Sequence, residues 1–159
     1  MTRPQTPRKA AADVQLLYVQ HDWPRFGEID ALRHAALYEP FGVPPGDDFR
    51  DDDPDSVHLV ALVDDRVVGY GRLIMHGNGT AQIRHMAVDP DHRRRGIATA
   101  LAEALTHRAW ELGATEVWLN ARVFVMKLYR QLGFEPVGYV FKSAHTGILH
   151  QRMVLRRPA

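Results

Sequence analysis

Cysteine is absent from the chain, which removes disulfide staples, a thiolate nucleophile and any zinc centre built on sulfur. Long apolar runs are missing too, so no segment reads as a bilayer span. The opening residues Met1 to Ala12 are rich in Pro, Arg and Thr and hold no apolar core of the kind a secretory signal needs. They read as a loose, flexible tail before a single domain over residues 13–159, and a cytoplasmic location follows by default. An excess of one charge is also lacking: 20 Lys and Arg against 19 Asp and Glu give a net charge of +1. That is too little for bulk attraction to nucleic acid or membrane. There is no internal repeat. What is present is 159 residues, 45% hydrophobic and 25% charged, enough for one core in one domain.

Hydrophobic periodicity divides the chain. Val14 to Val19 reads as a strand, and Trp23 to Tyr38 carries apolar residues at helical spacing at Phe26, Ile29, Leu32, Ala36 and Leu37. Gly42 to Asp55 follows with three prolines, and six aspartates fall between Asp47 and Asp55, a composition for an exposed acidic loop. Val57 to Val63, Val67 to Met75 and Thr80 to Val88 read as three antiparallel strands, turning at Asp64-Asp65 and Gly77-Asn78-Gly79. Ile97, Leu101, Leu105, Ala109 and Leu112 mark one helical face, closed by Gly113. Glu116 to Leu119 alternates as a strand. Val123 to Leu132 reads as a helix ending at Gly133, and Phe134 to Phe141 and Ile148 to Leu155 as closing strands. The class is α+β.

The most telling stretch is Arg93-Arg94-Arg95-Gly96-Ile97-Ala98, where a strand gives way to a helix. Glycine allows close approach of a ligand to the backbone, and the first amides of the helix have no intrahelical acceptor. With the helix dipole and three arginines, a phosphate or pyrophosphate is the expected guest. The competing reading is a solvated basic loop. The arginines have no interleaved aromatics, which argues against a nucleic-acid surface.

Around that stretch the sequence carries Met86-Ala87-Val88, Asp89-Pro90, Arg93-x-x-Gly96-x-Ala98, then Leu119-Asn120-Ala121 and Leu128-Tyr129-x-x-x-Gly133-Phe134. This succession resembles the GNAT superfamily of N-acetyltransferases. Leu32-Arg33, Glu39, Gly42-Val43-Pro44, His58-Leu59-Val60, Val68-Gly69, Arg72-Leu73 and Gly147-Ile148-x-His150-x-x-Met153 resemble its ElaA-like subgroup. The likeness runs from Leu32 to Met153.

The resemblance implies the GNAT fold, a mixed and mostly antiparallel central sheet flanked by helices, and acetyl-CoA as cosubstrate. Its pyrophosphate would lie on Arg93, Arg94, Arg95, Gly96, Ile97, Ala98 and Thr99. Its pantetheine would run beside Met86, Ala87 and Val88, where two strands splay, with Asn120 as a further contact. Asn120 also reads as a turn residue. Tyr129 matches the family's usual general acid for the departing thiolate; its other reading is a core tyrosine. The implied reaction is direct attack of a primary amine of a small molecule or peptide on the thioester in a ternary complex, and the alternative is a catalytically silent acyl-CoA-binding regulatory domain. Gln82 stands where related chains often carry Glu, and cannot take a proton. His85 and Glu116 are the titratable candidates for the base, beside water or an already neutral amine. His58 and His150, with Glu39 and Asp53, are placed by the subgroup match near the acceptor. They lack the spacing of a metal site, so no metal is expected. The acidic loop Asp47 to Asp55 would attract a cationic acceptor or is simply solvated. Members of the superfamily commonly dimerise through sheet edges or terminal strands, so a homodimer is a further expectation.

Overall fold

The computed structural model describes residues 13–43, 55–144 and 146–159. The Met1 to Ala12 tail, and all of the acidic loop except Asp55, lie outside them. The strands are β1 (Gln15–Val19), β2 (Val57–Val63), β3 (Arg66–Met75), β4 (Thr80–Val88), β5 (Glu116–Arg122), β6 (Glu135–Lys142) and β7 (Leu149–Arg156). The helices are α1 (Phe26–Arg33), α2 (Ile97–Glu111) and α3 (Met126–Gln131). One seven-stranded sheet takes the order β1-β2-β3-β4-β5-β7-β6, and only the β4–β5 pair is parallel. A parallel pair needs a crossover, and α2 supplies it.

The expected strands form within one residue of their expected bounds, except that β5 runs three residues past the expected Leu119, to Arg122. β2 has the expected bounds. Asp64 and Asp65 both adopt positive φ (48° and 62°), as a two-residue turn matched to strand twist requires, and Asp tolerates this conformation. The helices differ more. The helical run expected over Trp23 to Tyr38 is α-helical only from Phe26, then widens at His34–Tyr38 into a π-helical turn, with Glu39 N–H donating to His34 O, and tightens into a 3₁₀ turn at Glu39–Phe41. The helix expected over Val123 to Leu132 begins as a 3₁₀ turn, Val123–Val125, before α3. Leu112 caps α2 instead of joining its buried face and is 44% exposed.

The two sheet faces carry two cores. On one, Leu59, Leu73, Ala81, Ile83 and Val117 meet Ile97, Leu101, Leu105 and Ala109 of α2, with Tyr129 and Phe134. On the other, Val60, Tyr70 and Ala87 meet Phe26, Ile29 and Leu32 of α1. α2 lies so close to β3 that a Cβ on Gly71 would fall 2.6 Å from Leu105 Cδ1 and from Met86 Sδ, so any larger residue there would have to push both side-chain ends aside. β6 is an edge strand with Val137, Tyr139, Val140 and Phe141 exposed. Among the described residues, no helix is long and apolar enough to cross a membrane.

Candidate active site

The site begins as a defect in the sheet. β4 and β5 pair only at Thr80↔Glu116, Ala81↔Val117 and Gln82↔Trp118, and then diverge. From Ile83 to Val88 the backbone of β4 on that side has no strand partner, a row of peptide groups open to a ligand. The β3 side carries a second defect. Tyr70 pairs with Ala87 but Arg72 with Arg84, so Gly71 faces both His85 and Met86. This is a β-bulge, with His85 as the extra residue at φ 58°. It resets the alternation: Ile83 and Met86 face α2, while Ala87 faces α1. The sequence carries this signal, because the apolar alternation Ala81, Ile83 skips to Met86.

Divergence of the strands opens a cleft of about 1040 Å³ lined by Met86, Ala87, Val88, Arg93, Arg94, Ala98, Asn120 and Tyr129, among others. It adjoins a pocket of about 420 Å³ formed by His92, Arg93, Arg94, Arg95, Gly96, Ile97, Ala98 and Thr99. Val88, Arg93, Arg94, Ala98 and Leu128 belong to both. Gly96 is the N-cap of α2 at φ 76°, no side chain caps the helix, and the first intrahelical bond is Ala100 N–H to Gly96 O at 3.0 Å. The first-turn amides therefore remain available beside three arginines. The basic junction is thus an uncapped helix start opening into a cleft, which a merely solvated loop would not require.

Tyr129 is 5% exposed, packed edge-on against Phe134 at 5.8 Å, and lines the cleft. Its hydroxyl has no hydrogen-bond partner among the described residues. Burial pushes the phenol well above its usual 10, so it is protonated at every working pH and is able to donate. His85 also lines the cleft, and its Nδ1 is buried without a partner. Burial, then the charges of Arg33, Arg84 and Arg72, push it down to about 2. It is neutral, but its conjugate acid is far too strong to hold a proton near neutrality.

His150 is differently placed. It lines the cleft, stacks on Phe141 at 5.7 Å, and its Nδ1 lies 2.9 Å from Ile148 O. A carbonyl only accepts, so Nδ1 carries the proton and Nε2 is the basic nitrogen. Burial lowers its pKa, opposed by the Ile148 bond and reinforced by Arg122.

Other expected residues separate. Asn120 lies within β5 and not in a turn; it is exposed to the cleft, and its Oδ1 accepts from Arg152 Nε at 3.4 Å. Glu116 sits at the start of β5, ion-paired with Arg156 at 3.5 Å, outside the cleft lining. His58 is also away from the cleft, 3% exposed, with Nδ1 2.7 Å from the Tyr70 hydroxyl and its ring edge-on to Phe26. Glu39 is exposed between Tyr38 and Pro40, which line the cleft, without lining it itself. Asp53 is outside the described residues. Residues not singled out from sequence also form walls: Arg122 donates from Nη2 to Leu37 O at 2.7 Å and lies over the Phe41 ring at 5.0 Å. Phe124 and Lys142 join them. No periodic signal marks these, since each comes from the end of a different element. Among the described residues, no group of three or more His, Asp or Glu gathers as a metal site.

Comparison with known proteins agrees with this geometry. Human N-acetyltransferase 8 is 38% identical over 63 residues, 38% of this chain and 28% of that protein. The chain spans well under half the length of the curated relatives it matches. Among solved structures, Escherichia coli ElaA superposes with TM-score 0.72 at 19% identity, covering 89% of this chain and 98% of that one. An aminoglycoside 6′-N-acetyltransferase complexed with coenzyme A superposes with TM-score 0.70 at 15% identity, covering 91% and 99%. At such identities the likeness is one of fold. The family pattern itself extends over residues 22–134, through the bulged strand, the uncapped helix and Tyr129, and the chain belongs to the acetyltransferase (GNAT) family.

Proposed function

We propose that the protein transfers an acetyl group from acetyl-CoA to a primary amine of a small molecule or peptide, by direct attack in a ternary complex. One observation carries this reading: the uncapped start of α2, ringed by Arg93, Arg94 and Arg95, is continuous with the unpaired edge of β4. Acetyl-CoA is a phosphate-rich head on an amide-bearing arm, and this cleft offers complementary groups in the same order. The amides of Ile97, Ala98 and Thr99 would hold the pyrophosphate, with the arginines on the phosphates. The main chain of Met86 and Val88 would bond the pantetheine as though it were an added strand, and the Asn120 side-chain amide would meet it from β5.

In the reaction the amine nitrogen bonds to the thioester carbon, the carbon–sulfur bond breaks, and the departing sulfur needs a proton. Tyr129 is a protonated donor on the cleft wall and takes the role of acid. His150 Nε2 is better suited than His85 to accept the proton the amine loses, since the Ile148 bond holds its ring in the required tautomer. His85 then serves as a neutral polar group at the bulge.

Calorimetric titration with acetyl-CoA, followed by a thiol-release assay over a panel of amines, tests the reading. Micromolar binding with release for some amine is expected. Binding without release for any amine would instead make the chain a silent acyl-CoA-binding regulatory domain, and no binding would overturn the cofactor assignment.

A further inference from the structure

We propose that the amine acceptor carries an oxyanion of its own, a carboxylate or a phosphate, and that Arg84 receives it. The proposal rests on the acetyltransferase reading and narrows its acceptor. Among the described residues, the cleft is lined by the cations Arg84, Arg93, Arg94, Arg122 and Lys142, and by no carboxylate. Arg93 and Arg94 border the helix start, where the cofactor phosphates belong. The other three, Arg84 in β4, Arg122 at the end of β5 and Lys142 at the end of β6, line the larger cleft but not the pocket at the helix start.

Their states differ. Arg122 is committed to Leu37 O and the Phe41 ring, and Lys142 is exposed at the end of β6. Arg84 is half-buried in β4 and makes no hydrogen bond or ion pair with any described residue. Its cross-strand partner is Arg72, 1% exposed. Like charges directly opposite on a strand pair are destabilising; Arg72 donates to Ser56 Oγ at 2.8 Å, which leaves Arg84, facing the cleft, as the cation an anion would offset. A guanidinium fork suits a planar carboxylate or a phosphate equally well.

The same charge acts on the reacting nitrogen. Nearby cations disfavour an ammonium ion and so favour the neutral amine that attack requires. A polyamine would bring further positive charge into this cleft, whereas an amine with its own anion offsets it while its nitrogen is still relieved of a proton. The cationic acceptor suggested by the Asp47 to Asp55 loop, all of which but Asp55 lies outside the described residues, is the competing expectation.

The test offers the full chain, saturated with acetyl-CoA, amines matched except for the anion: phenylalanine against phenethylamine, ornithine against putrescine, and phosphoethanolamine against ethanolamine. The expected result is at least ~10-fold higher kcat/KM for the anion-bearing member of a pair, the carboxylate and phosphate pairs showing which oxyanion is taken. Arg84→Gln should erase that preference by raising the acceptor KM while kcat and the KM for acetyl-CoA stay unmoved. Arg84→Lys should keep part of it and serves if the Gln variant does not fold. Equal or better turnover of the anion-free amines overturns the proposal and leaves the acetyltransferase reading standing. If acetyl-CoA binds but no amine turns over, calorimetry of the protein–CoA complex with the N-acetyl products of each pair decides. Binding confined to anion-bearing products supports the proposal, and any other result overturns it. Failure to bind acetyl-CoA removes the underlying reading, and the proposal with it.

Discussion

The two ends of the cleft are built from different material. At the proposed cofactor end the groups on offer are backbone amides, freed by an uncapped helix start and an unpaired strand edge. Arginines supply charge, but the shape depends on few side chains: Gly96 at φ 76° and the bulge opposite Gly71. At the proposed acceptor end the groups are side chains, each from a separate element: Arg84 of β4, Arg122 of β5, Lys142 of β6 and His150 of β7. A backbone site keeps its specificity through sequence change, whereas a side-chain site changes with every substitution. A protein with a fixed donor and a particular acceptor needs both kinds of site.

The largest expected effect comes from Gly96→Val. A β-branched residue at positive φ is strained by roughly 1–3 kcal/mol, and its side chain would cover the first-turn amides. Acetyl-CoA affinity should fall by at least ~100-fold (about 2.7 kcal/mol) while the circular dichroism spectrum stays native. Calorimetry giving ordinary affinity would place the phosphates elsewhere and dissolve the distinction between the two ends.

Tyr129→Phe comes next and acts where the ends meet. Loss of a positioned acid typically costs 10²–10⁴-fold in rate, so kcat should drop by roughly 100-fold. Acetyl-CoA affinity should stay within about twofold and stability nearly constant, because the hydroxyl has no hydrogen-bond partner among the described residues. Unchanged turnover would take Tyr129 out of the acid role.

The helix start at the proposed cofactor end was legible in the sequence. A glycine flanked by arginines at a strand-to-helix junction reports backbone geometry directly, and Gly96 is the N-cap. β2 was legible as a short continuous apolar run because both of its faces are covered, every residue from His58 to Val63 being buried. The acceptor end was not legible. Arg122 and Leu37 are far apart in the chain, and Leu37 offers its carbonyl from a π-helical turn whose extra residue nothing in His34–Tyr38 announces. His58 shows the reverse error. The subgroup match placed it near the acceptor, but it is buried against Tyr70 and Phe26, outside the cleft lining, because a strand position chooses a face and not a site.

A smaller, pH-dependent effect should separate the two histidines of the cleft. Both native pKa values are depressed below 6.5, His85 to about 2. Below pH 6.5 the unfolded chain binds protons that the native protein refuses, so these groups make stability fall as the pH drops. For His85 that loss continues toward pH 2. His85→Gln should therefore flatten the decline in denaturation midpoint between pH 6.5 and 4 without moving the acid limb of kcat/KM. His150→Gln should remove that limb, which lies below pH 6.5. A limb that follows His85 and not His150 would reverse the base assignment.

The finest test is Arg122→Ala. Arg122 ties Leu37 and Phe41, on the segment after α1, to the far end of β5. Removing it leaves the Leu37 carbonyl without its donor, a cost of roughly 1–3 kcal/mol where that group is buried, and frees one wall of the acceptor end. The acceptor KM should rise by about 3–10-fold, with kcat and acetyl-CoA affinity unmoved, and Arg122→Lys should restore little, since an ammonium lacks the planar group that lies on Phe41. A change in acetyl-CoA affinity alone would show that the wall serves the cofactor after all. A change confined to the acceptor would mean that specificity is set by a contact which neither touches the reacting atoms nor leaves any trace in the local sequence.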